Sequence, residues 1–266
     1  MLSLLVSTTA LVAKPNALRL RGGLADVDPT MVANGALALQ GLNAAVVALS
    51  PAKAGEIYEV SLSGADEAIV KYMGLTLLGQ AMMVYYSMQG ESAATAIGYS
   101  IVPQLIRNVQ GALNDEQSKL FGQEGPVKYI NLAIAGFMVH TLLGSPLPLP
   151  QVDASTAINA YAAWGALNGL GMYFATDKLM EAWGASGAKL QKNFLKSFGG
   201  FLTISSLTAY MLNSGEDAIK TLGYASALTL ATQIDGSYIS KDAPGSEAAA
   251  NFWMAITAGI VGFTLF

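Results

Sequence analysis

Displaced against itself by 125 positions, this chain meets matching residues along most of its first half, and no other feature constrains its fold as tightly. Asn34 falls on Asn159, Asn43 on Asn168, Lys53 on Lys178 and Glu56 on Glu181, and aromatic Tyr58 on Trp183. Further on, Lys71 meets Lys196, Gly74 meets Gly199 and Tyr85 meets Tyr210. Gly90–Glu91 falls on Gly215–Glu216, Gly98–Tyr99 on Gly223–Tyr224 and Gly111 on Gly236. The register runs without a gap from Asn34 to Gly111, and a displacement of 123 then brings Ala135–Gly136 onto Ala258–Gly259. Two copies of one unit are expected, over 30–145 and 155–266. Between them lies a linker at 146–154, inside the stretch "GSPLPLPQVD", whose three prolines favour a stiff, extended connection.

Composition says where such a repeat can live. Of 266 residues, 53% are hydrophobic and 12% charged, and the mean hydropathy is +0.43. A soluble domain is about 25% charged. Twenty-eight glycines suit close helix contact in a bilayer. Eight apolar stretches stand out: Met31–Ser50, Tyr72–Met88, Ala93–Leu113, Tyr129–Leu143, Ala157–Ala175, Phe198–Leu212, Ala218–Ile234 and Phe252–Phe266. Several fall short of the ~20 residues of a usual span, so their helices are expected to run into flanking polar residues. Long alternating runs are missing and Ala and Leu dominate, which argues against strands. The expected fold is an all-α integral membrane protein, with eight transmembrane helices arranged as two tandem four-helix bundles.

Four spans per copy is an even number, so both copies enter the membrane from the same side, as a parallel repeat. Lysine distribution agrees: nine lie in loops after odd-numbered spans, and only Lys220 lies on the other side. The positive-inside rule then puts the odd loops in cytoplasm, stroma or matrix.

The first 29 residues read as a targeting leader, removed from the mature protein. "LSLLVSTTALVA", Leu2 to Ala13, has signal-peptide rather than membrane-span length. Lys14, Arg19 and Arg21 follow, and no acid occurs before Asp26. "ALRLRGG" (Ala17–Gly23) shares its last six letters with the ubiquitin tail, but the sixteen residues before it are too few for a domain. The two-part pattern resembles the bipartite leaders of algal plastid proteins, except that Lys14 stands where such leaders usually carry Phe. The resemblance implies a plastid membrane, thylakoid or envelope; the mitochondrial inner membrane and a secretory membrane are the alternatives.

Several function classes are excluded. A net charge of −4 without a basic stripe leaves nothing for nucleic acid. With no cysteine and one histidine there is no thiol chemistry and no His-based metal set. No catalytic triad, phosphate loop or paired intramembrane acids are visible, so no catalytic residue is assigned.

Candidate binding residues are the polar groups within or ending spans. Asn43 and Asn168, like Asn34 and Asn159, are expected as span amides that either join helices by hydrogen bonds or line a polar cavity where the copies meet. Around Asn168, "GALNG" (Gly165–Gly169) is a close-packing GxxxG pattern. The third span holds "PQLIRNVQG", with Pro103, Gln104 and Arg107. An intramembrane cation points to function, although Arg107 stands close enough to the span end to snorkel. Gln110 meets Asp235 in the repeat register, and an Arg107–Asp235 ion pair across the copies is the expectation there. His140, within the fourth span, is a candidate ligand for a pigment magnesium, as a buried Asn or Gln would be, with a hydrogen-bonded packing role as the alternative; the cofactor itself is undetermined. The turns "QGES" and "NSGED" read as tight hairpins, with Ser92, or Ser214 together with Glu216, capping the next helix.

A four-span unit with a short central hairpin and a polar, Gly-ended third span ("RNVQG", "TQIDG") resembles the DoxX-like group of small four-helix membrane proteins. That resemblance implies the fold rather than an activity. Poverty in ionisable groups favours a non-catalytic accessory, scaffold or assembly component, whose partners are the lipid bilayer and other membrane proteins of a larger complex. The alternative is a carrier for a small or lipophilic ligand at the interface of the repeats, and the third reading is an enzyme acting on lipid or quinone.

Overall fold

The computed structural model describes residues 28–62, 64–113, 127–144, 149–150, 152–182, 189–243 and 245–266. The leader through residue 27 and parts of the linker (145–148 and 151) lie outside them. The described residues are helical, with no strand among them: α1 Pro29–Leu49, α2 Pro51–Tyr58, α3 Gly64–Met88, α4 Ala93–Leu113, α5 Val127–Leu143, α6 Ala154–Phe174, α7 Thr176–Ala182, α8 Lys189–Asn213, α9 Ala218–Ile234 and α10 Glu247–Leu265. A π-helical turn, Asp235–Ile239, continues α9. The bounds of α1 and α3 recur 125 positions later as those of α6 and α8.

Local chemistry explains the ends. Asp28 accepts the Thr30 N–H at 2.9 Å, and Pro29 opens α1, where its missing donor costs nothing. Asp153 starts α6 in the same way by accepting Thr156 N–H at 2.9 Å, which holds its carboxyl below the usual range. Between α3 and α4, Gly90 takes φ +87°; between α8 and α9, Gly215 takes φ +85°. In both turns the glycine N–H returns to a carbonyl three residues back, and the following Glu N–H to one five back. These are Schellman closures, which need the left-handed conformation that glycine adopts freely. The caps beyond them differ. Ser92 accepts Thr95 N–H, but α9 is capped by Asp217 on Lys220 N–H, while the Ser214 hydroxyl bonds back to Tyr210. A carboxylate three residues closer to the helix, Asp217, takes the place of the expected Ser214 cap.

Glycines set the helix crossings. A methyl on Gly199 would lie 2.6 Å from the Gly169 carbonyl, and one on Gly169 would lie 2.6 Å from that of Gly199, so α6 and α8 touch backbone to backbone. Gly79 similarly faces the Ser100 carbonyl of α4, and Gly98 faces Leu143 of α5.

The halves do not keep separate cores, as two bundles side by side would. One cluster joins Val47, Val70 and Met73 to Met180, Phe194 and Phe198. A second joins Met83, Ile97 and Met138 to Ile158, Ala209 and Leu212. A third joins Ala33, Leu37 and Val84 to Leu222 and Ile260. Helices α3 and α8 meet at the centre, while α5 packs on α6 and α10 on α1, so each half's last helix covers the other's first.

The expectation of eight spans is corrected. Among the described residues three helical stretches are long and apolar enough to cross a membrane: Pro29–Leu49, Asp66–Met88 and Glu247–Leu265. Tyr129–Leu143 is apolar but short. The others fall short for physical reasons. Helix α9 has only 17 residues, and α8 spends its first two turns on Lys189, Lys192 and Lys196. Helix α4 carries Gln104, Arg107, Asn108 and Gln110, and α6 is built largely of Ala, Gly and Asn.

Candidate functional site

Where the halves meet, the helices leave a cavity of about 230 Å³. Helices α1, α2 and α3 bound it from the first half; α8, α9, the π turn and α10 bound it from the second. Its walls are mainly apolar and aromatic, with Met73, Phe194, Phe201 and Trp253 among them. Four amides interrupt this surface: Gln40 on α1, Asn43 on α1, Gln80 on α3 and Gln233 on α9. Gln80 is buried near the middle of its helix, and neither its Oε1 nor that of Gln233 has a hydrogen-bond partner among the described residues. A buried amide oxygen without a partner is costly.

One end of the cavity is charged. Lys196 Nζ donates to Asp242 Oδ2 at 2.7 Å, to Asp235 Oδ2 at 3.1 Å and to Ser240 Oγ at 3.0 Å. The Tyr173 hydroxyl donates to Asp235 Oδ2 at 2.6 Å. That bond, and after it the Lys196 ammonium, hold the Asp235 carboxyl below its usual value. The π turn makes this possible, since its wider winding lets Ser240 N–H return to the Asp235 carbonyl while Ser240 Oγ donates to Asp235 Oδ1. At the same end Tyr58 donates to Asn43 Oδ1 at 2.9 Å, and its carbonyl accepts Ser246 N–H at 3.1 Å. The C-terminal end of α2 is thereby tied to both α1 and the start of α10. Burial holds the Tyr58 hydroxyl above its usual value, so it remains a donor at neutral pH.

The residues singled out in the sequence divide between this site and other places. Asn43 lines the cavity, and Asp235 anchors the lysine that does. Asn168 instead donates to the Trp164 carbonyl of its own helix, while Asn159 accepts from Asn213 and so joins α6 to α8. The expected Arg107–Asp235 pair does not form. Each third helix packs on the second helix of its own half, so Arg107 meets α3, with its guanidinium 5.0 Å from the centre of the Tyr72 ring, whereas Asp235 meets α8. Gln104 accepts the Tyr161 hydroxyl at 3.0 Å. His140 is buried beside Phe137, its two ring nitrogens lack hydrogen-bond partners among the described residues, and it is not part of the cavity wall. Gly165 and Gly169 face α8, against Ser206 and Thr203.

Comparison of the halves explains why Gln104 and Arg107 sit elsewhere. The cavity wall on α9 includes Thr229 and Thr232. The positions 125 earlier are Gln104 and Arg107, both larger, and Tyr161 stands where the first half has Ala36. Bulk on one side of the repeat answers to open space on the other. Sequence reading missed Gln40, Gln80, Gln233 and Trp253. Two of these, Gln40 and Gln80, are mid-span glutamines, and Gln233 stands next to the end of its span, so that signal was available.

No known protein family, curated protein or solved structure matches the chain.

Proposed function

We propose that this chain is a membrane-embedded binding or carrier protein that holds a small lipophilic molecule between its two halves. The cavity at their junction, walled by apolar side chains and set with amides from both halves, carries the reading. Ligand sites are concave, mostly apolar and supplied with a few fixed polar groups. Polar groups at mid-helix in a lipid setting are retained where they have work to do. The coinciding helix bounds support a tandem duplication as the origin of the fold, and the cavity lies where a parallel pair of units would meet. Membrane residence draws support from the outward faces: Leu42, Val46 and Leu49 on α1 and Trp164, Leu167 and Leu170 on α6 are exposed at helical spacing. The same faces fit contact with other membrane proteins. A plastid membrane is the proposed location, on the strength of the leader-like first residues.

The test is purification in mild detergent followed by mass spectrometry of the bound small molecules, for the wild type and Gln80→Leu. Wild-type protein should carry one lipophilic molecule at near one per chain. Gln80→Leu should lose at least roughly tenfold in occupancy, while its ligand-free form melts no lower than the ligand-free wild type, because it removes a buried, unpartnered amide oxygen from the empty site. Stoichiometric large proteins and no small molecule would make the chain an assembly subunit instead.

A further inference from the structure

Resting on that binding reading, we infer that the cavity selects a neutral lipophile with a hydrogen-bonding head, such as an alcohol, over an anionic molecule of the same shape. The argument starts from Lys196, the one cation on the wall among the described residues. An ammonium has three N–H donors. Those of Lys196 are engaged by Asp235, Asp242 and Ser240 at 3.1, 2.7 and 3.0 Å, and its charge also lies 4.9 Å from the centre of the Tyr173 ring. Nothing is left to receive a carboxylate or phosphate, and with two carboxylates around one ammonium the cluster has a net charge of −1. An anionic head would therefore meet like charge at this end.

Beyond this cluster the wall offers amides and hydroxyls, with no further charged side chain among the described residues. The Gln80 and Gln233 oxygens there lack partners among the described residues, and one neutral hydroxyl can satisfy either. Burying a neutral hydroxyl against an amide costs little, whereas burying an uncompensated ion costs much. The apolar body then lies against Met73, Phe194 and Trp253.

Trp253 provides the readout. The chain has three tryptophans, so the double variant Trp164→Phe, Trp183→Phe leaves one emitter, at the cavity wall. In nanodiscs at neutral pH this protein is titrated with an ω-bromo alcohol and the ω-bromo carboxylate of the same chain length, each referred to its concentration in the bilayer. The alcohol should quench Trp253 saturably, with a midpoint at least roughly tenfold below that of the carboxylate. Adding Gln80→Leu and Gln233→Leu should narrow that preference. A carboxylate that binds as tightly as the alcohol would overturn the selection while leaving the cavity a binding site. No saturable quenching by either would overturn the binding reading itself.

Discussion

Single residues in this chain act chiefly through how closely they let backbones approach. Gly199 and Gly169 leave no space for a side chain, since an added carbon on either meets the other's carbonyl at 2.6 Å. Gly259, in α10, has nothing within 4 Å of the same construction. Gly199→Ala is therefore expected to cost about 1–3 kcal/mol through a forced separation of α6 and α8. Gly259→Ala should be neutral or slightly stabilising, because alanine is the better helix former. Thermal unfolding in detergent, read by circular dichroism, distinguishes them. Equal melting of the two variants would contradict the crossing geometry. Arg107 teaches the related lesson that a cation inside an apolar helix does not announce its partner. Its position on α4 is plain in the sequence, but contact with the Tyr72 ring depends on which face of α3 lies beneath it.

At the scale of elements, the π turn after α9 is where regular winding gives way to a site. Asp235 begins it, and Lys196 and Tyr173 tie it to α8 and α6. The Asp235 carboxyl is held below its usual value, so its contribution to stability is present above the ordinary carboxylate range near pH 4 and is lost as acid drives the pH through the lowered folded-state value. Asp235→Asn should lower the melting temperature at pH 7, by an amount that corresponds to no more than about 1 kcal/mol for so accessible a pair. That difference should shrink toward zero near pH 3. A pH-independent difference would mean that the carboxylate charge is not what holds the turn. The hairpins at Gly90 and Gly215 show the opposite behaviour, since their geometry follows from local sequence alone. Both close with the same hydrogen bonds, although one helix is capped by Ser92 and the other by Asp217.

Across the whole molecule, all three core clusters draw on both halves, and each half's terminal helix covers the other's first. A half on its own would expose the faces that α3 and α8 turn to each other. Expressed separately, residues 30–145 and 155–266 should each aggregate or be degraded. Expressed together from two genes, they should co-purify as one unit that melts like the intact chain. Two halves that are each stable and monodisperse would show that the shared core is dispensable. This mutual cover also concentrates the cavity at the junction, because the packing of two similar units leaves space where their surfaces fail to interlock.

The all-helical fold, the hairpin turns and the GxxxG contact were determined by the sequence by itself. Each rests on short-range properties: side-chain periodicity, the left-handed freedom of glycine and its small volume. Only the tertiary structure decided that the halves share one core, that three described helical stretches rather than eight meet the length and apolarity of a span, and that Asn43 lines the cavity while Asn168 bonds its own helix. It also decided that Gln40, Gln80 and Gln233 face one space together with Thr229 and Thr232, whose counterparts in the first half are Gln104 and Arg107. These outcomes depend on helix rotation and crossing. Helices at matching positions of the two halves can turn different faces inward when a few side chains differ in volume, and threonine against arginine is such a difference.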